Sequence, residues 1–163
     1  MKRKRDPLYS NPVSQAVVRR QVMESLARLK RDCELQAYMG SRVPEMVSDA
    51  CMTLYAVAYA HMICRTHPKL QHKLAATSAD ARIMRGLAGA LQDLANHPAQ
   101  LELYRPAIQS GLAAIERVLP DLEPLAIGVG MVECRLAIAK GGISAADIQQ
   151  MLGAPIEEER KAA

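Results

Sequence analysis

The densest grouping of side chains able to do chemistry is His61-Met62-Ile63-Cys64-Arg65-Thr66-His67, with His72 just beyond it. On a helix His61 and Cys64 stand three apart and share a face, and His67 follows one turn later. Imidazole and thiolate at that spacing could meet a single transition metal. Three features argue for a plainer role. No carboxylate accompanies the set at ligand spacing, His67 sits at a helix terminus before Pro68, and Cys64 falls on a buried stripe. The expectation is therefore a core cysteine with histidines near a helix C-terminus, with His61, Cys64 and His67 kept as metal candidates and no cofactor expected.

Catalytic patterns are scarcer still. The chain carries neither GxSxG nor HExxH, and Glu116, Glu133, Asp93 and Asp147 are scattered singly over helical segments, where solvated faces or caps account for them. The four cysteines, Cys33, Cys51, Cys64 and Cys134, form no CxxC and read as reduced, small apolar residues. Gly128-Val129-Gly130 lacks the third glycine and the preceding strand of a dinucleotide site, so close helix packing explains it better. Ile143–Gly153 resembles the first helix and turn of a helix-turn-helix, but the segment that would follow as recognition helix carries Glu157, Glu158 and Glu159. A short helix packing on the body is the expectation there. No enzymatic activity is expected.

Charge separation gives a stronger signal. Residues 1–42 hold ten cations against four anions, net +6, and the rest of the chain holds eleven cations against thirteen anions, net −2. Lys2, Arg3, Lys4 and Arg5 make a basic arm, and Arg19, Arg20, Arg28, Lys30 and Arg31 extend it along the first helix. Such a surface contacts phosphates, docks on an acidic protein surface, or serves solubility. The absence of Trp and Phe leaves little aromatic area for base stacking.

These residues must be positioned by helices. With 163 residues and half of them apolar, the chain suffices for one core built from Ala, Leu, Ile, Val and Met. Val18, Val22, Leu26, Leu29 and Cys33 recur at helical spacing, predicting a long first helix from Ser14 to near Gly40. Pro44 suits the first turn of a second helix reaching about Thr66, apolar almost all round from Ala50 to Cys64 and so expected at the centre of the fold or in a dimer interface. That uncharged run of 15 residues is short for a membrane span. Ser78 is expected to N-cap a third helix ending at Asn96-His97-Pro98, whose Gly86 and Gly89 are expected to admit a close neighbour. Pro106 is expected to split the next segment before a helix carrying Ile108, Leu112, Ile115 and Leu119. Pro124 opens a fifth helix to Lys140, and Ser144-Ala145-Ala146-Asp147 fits a capping box for a short last one.

The expected architecture is a single all-α domain of five to seven helices around a buried central helix. It spans residues 14–153, between a flexible basic arm at 1–13 and a charged tail at 154–163. The Lys/Arg start passes into Asp6-Pro7 rather than an apolar stretch, so a cytoplasmic location without membrane contact is expected. The expected function is a small non-enzymatic regulatory or adaptor protein that binds a protein partner and self-associates through its body. The alternative is a DNA- or RNA-binding accessory protein using the arm and first helix, and the third reading is a metal-binding sensor or enzyme centred on His61, Cys64 and His67.

Overall fold

A computed structural model describes residues 12–40, 42–67 and 78–153. The basic arm at Lys2, Arg3, Lys4 and Arg5, the ambiguous segment 68–77 and the acidic tail lie outside them. Six α-helices run along the described residues: α1 (Pro12–Met39), α2 (Val43–Thr66), α3 (Ser78–Asn96), α4 (Leu101–Val118), α5 (Pro124–Ala139) and α6 (Ala145–Met151). Short 3-10 turns at Pro98–Gln100 and Leu119–Asp121 flank α4, and no strand occurs among the described residues.

The boundaries follow local chemistry. Prolines stand in the first turn of α2 and α5, where a missing N–H leaves nothing unsatisfied. α1 ends at Gly40, which takes the left-handed conformation (φ +68°) and donates its N–H to the carbonyl of Gln36 at 2.8 Å. His67 closes α2 in an extended conformation (φ −85°, ψ 120°), as a residue preceding proline must. Ser144 caps α6 by accepting a hydrogen bond from the N–H of Asp147 at 3.1 Å.

α1, α2 and α5 form one set. Cross-contacts rise together along α1 and α5, from Arg19 with Glu123 to Val22 beside Gly128, so the two run in the same direction. α2 lies antiparallel beside them, its Ala56 and Tyr59 against Gly130. α3, α4 and α6 form the second set. Asp80 at the start of α3 accepts two hydrogen bonds from Arg117 at the end of α4, at 2.9 and 3.0 Å. That placement puts each charge at the helix end whose dipole favours it. α6 returns along α3, with Gln149 donating to the carbonyl of Arg85 at 3.2 Å and Arg85 donating to the carbonyl of Gly153 at 2.8 Å. α2 touches all five other helices, so the expected central helix is found.

α2 is also long and apolar enough, by length and composition, to cross a membrane; here its own chain covers Met46, Ala50, Leu54, Val57, Ala58 and Cys64.

Two expectations are corrected. α4 runs unbroken through Pro106. The proline removes one hydrogen bond to the carbonyl of Glu102 in the first turn, where both residues are exposed and the carbonyl is open to solvent, while Ile108, Leu112, Ile115 and Val118 anchor the rest. Gly86 and Gly89 admit no close neighbour: a Cβ at Gly86 would meet nothing within 4 Å, and one at Gly89 only the Gln149 side chain at 3.8 Å. The close approaches belong to Gly111, where a Cβ would lie 2.6 Å from Leu87 Cβ, and to Gly130, where it would lie 2.7 Å from the Ala56 carbonyl oxygen.

Candidate functional site

The metal candidates do not assemble. His61 and Cys64 are buried within α2 and His67 is half-buried beyond its end. Among the described residues no group of three or more His, Cys, Asp and Glu is placed to hold a metal ion. His61 keeps 4% of its surface, and its Nδ1 has no hydrogen-bond partner. Burial, with the Arg65 charge beside it, pushes its pKa down to about 4, so the ring is neutral at physiological pH. The thiols are equally quiet. Burial pushes Cys33 up to about 12 and Cys51 up to about 11, and Cys134 is raised by the same cause. All three are protonated near neutrality and therefore weak nucleophiles.

The cations of α1 divide into two groups. Arg19 pairs with the buried Glu123 at 2.8 Å, and Arg20 with Glu24 at 3.2 Å. Lys30 reaches Glu34 at 3.0 Å and Glu116 at 3.4 Å; burial opposes its charge, and the two carboxylates outweigh it and leave its pKa raised. These side chains tie α1 to itself and to the body. Arg28 and Arg31 stay exposed, with no ion pair among the described residues.

Arg28 belongs to a cleft that the sequence did not indicate. Ser25, Arg28 and Leu29 of α1, Met52 of α2, and Met131, Cys134 and Arg135 of α5 enclose about 210 Å³. The cleft opens because α1 and α5, in contact near Val22 and Gly128, leave a gap one to two turns further on, floored by Met52. Arg135 is exposed and, like Arg28, has no ion pair among the described residues. Two guanidinium groups therefore stand at the rim of a largely apolar hollow. On α5, Val132 and Leu136 lie three residues before and one after Arg135, on its outward side, exposed by 55% and 45%. The signal for this surface was present in α5, whose stretch from Leu125 to Ala139 carries only Glu133 and Arg135 as charges. A helix apolar all round beside a neighbour that covers one side must leave apolar surface on the other.

The C-terminal motif resolves as a short packing helix. Ile148, Met151 and Leu152 are buried, and the Ala145 N–H is held by Gln92 Oε1 at 3.2 Å; the segment that would have been a recognition helix lies outside the described residues. Comparison with known proteins finds no matching family model, no matching curated protein and no matching solved structure.

Proposed function

We propose that this chain is a non-enzymatic binding module that engages a protein partner through the outward surface of α1 and α5. The observation that carries the reading is a cleft edged by Arg28 and Arg135 and lined by Leu29, Met52 and Met131, with Val132 and Leu136 exposed on α5 beside Arg135 but outside the cleft itself. Arginine and methionine, which the cleft supplies as Arg28, Arg135, Met52 and Met131, are enriched at protein interfaces, where arginine gives directional hydrogen bonds and the apolar surface gives burial. The nucleic-acid alternative loses part of its support. Arg19, Arg20 and Lys30 pair with carboxylates of the chain and Arg28 edges a largely apolar cleft, while the arm at Lys2, Arg3, Lys4 and Arg5 lies outside the described residues.

The reading is tested by affinity capture from nuclease-treated extract of cells that express the chain, comparing it with the double variant Val132→Glu, Leu136→Glu. Both positions are exposed, so the fold is retained, and the expected outcome is a protein retained by the original chain and lost with the variant. Equal recovery by both, or a protein captured from untreated extract but lost after nuclease treatment, overturns the proposal.

A further inference from the structure

We infer that the α1–α5 cleft is a receptor for an acidic side chain on an acidic-aliphatic segment of the partner, with the carboxylate held between Arg28 and Arg135. The inference rests on the protein-binding reading above and names the chemistry it selects.

Size comes first. About 210 Å³ is below the roughly 300–1,000 Å³ of small-molecule sites, yet ample for one side chain entering from a chain that lies across the rim. Charge comes next. Arg28 and Arg135 line the same hollow from different helices, and neither has an ion pair among the described residues, so an incoming anion meets two cations there. Guanidinium groups present planar forks that match a carboxylate, and the Ser25 hydroxyl at the same rim adds a third donor. The walls then discriminate between anions. Leu29, Met52 and Met131 line the hollow, Cys134 is held as a neutral thiol, and Val132 and Leu136 continue the apolar surface past Arg135. An aliphatic neighbour on the partner buries against that surface, with the methionines adapting to its shape. A phosphodiester backbone would strand its sugars on the same apolar ground and find no exposed aromatic ring in the cleft lining to stack a base on.

The test is selection from a random peptide library against the full chain and against Arg28→Glu, Arg135→Glu. Melting followed by circular dichroism controls for fold, and Arg28→Gln, Arg135→Gln is used if the reversal does not fold. The original chain is expected to enrich sequences with Asp or Glu next to aliphatic residues. A synthetic peptide of the enriched sequence should bind with an affinity that falls as salt rises, and that falls at least roughly tenfold in the double variant. Enrichment without acidic residues, or binding indifferent to the double variant, overturns the inference. So does a thymidine oligonucleotide that binds more tightly than the peptide with the same dependence on Arg28 and Arg135. A full chain that selects acidic peptides only after Glu157, Glu158 and Glu159 are changed to Gln would show its own tail as the occupant, which also overturns it. If a captured partner is lost on changing Val132 and Leu136 but kept on changing the arginines, the protein-binding reading stands and this inference alone falls.

Discussion

His61 shows how little a residue type says until its surroundings are known. An imidazole in a row with Cys64 and His67 suggests a ligand, but inside α2 it is a buried neutral ring with an unpartnered Nδ1. Its ordinary pKa of 6.5 falls to about 4 on folding. The folded state therefore binds fewer protons than the unfolded chain between those values, so stability rises with pH across the window and is lost as pH falls through it. The full effect is about 3 kcal/mol, a large share of a typical domain's stability. Urea unfolding from pH 7 to pH 4 should show this loss, and His61→Gln, which cannot titrate, should flatten it by that amount. The glycines make a second contrast at the same scale. Gly86 is helical, exposed and faces open space, so Gly86→Ala should stabilise by about 0.5–1 kcal/mol through helix propensity alone. Gly130→Ala should destabilise by about 1–3 kcal/mol, because the new methyl meets the Ala56 carbonyl oxygen and backbone that cannot move aside. Chemical denaturation of the two variants in parallel checks both signs.

At the scale of elements, the sequence carried the helices well and their contacts poorly. Periodicity and punctuation located α1, α2, α3, α5 and α6 because their ends are written in local chemistry: Gly40, Pro44, Asn96-His97-Pro98, Pro124, the Gly141-Gly142 pair and the Ser144 cap. The reading failed where a local rule competed with packing. Pro106 breaks helices in isolation, but here it lies in the second turn with the buried row from Ile108 to Val118 holding the remainder in place. Gly86 and Gly89 looked like packing glycines, and Gly111 did not. Which glycine faces a neighbour depends on how α3 and α4 cross, and no single helix encodes that. The same limit hid the candidate site. Arg28 was visible as a cation on α1, but Arg135 lies 107 positions away on α5, and only the parallel course of those helices brings both to one cleft. Spacing along the chain likewise could not show that Arg19 and Lys30 would be drawn to Glu123 and Glu116, leaving Arg28 and Arg31 to face outward.

Over the whole molecule, the question is whether two sets of three helices behave as one body. α3, α4 and α6 hold one another through Asp80 with Arg117 and through Arg85 with Gly153, and α1, α2 and α5 hold one another through the approaches at Gly128 and Gly130. What joins the sets is α2, which touches every other helix, with α4 adding a second link to α1 where Arg105 donates to the carbonyl of Ala37 near the end of α1. The buried apolar residues form one continuous cluster drawn from all six helices, so neither set retains a core once α2 is loosened. Leu54, fully buried in α2, is the residue that tests this. Leu54→Ala should destabilise by about 2–5 kcal/mol through the lost transfer energy and the cavity left behind. Loss of helix by far-UV circular dichroism and exposure of the tyrosines by fluorescence should still coincide in urea, because the damage falls on the element the two sets share. Leu103→Ala, at a position on α4 that is 70% exposed, should change stability by less than about 0.5 kcal/mol. If the two transitions separate in Leu54→Ala, the sets unfold independently and α2 is a lining of one of them rather than the joint between both.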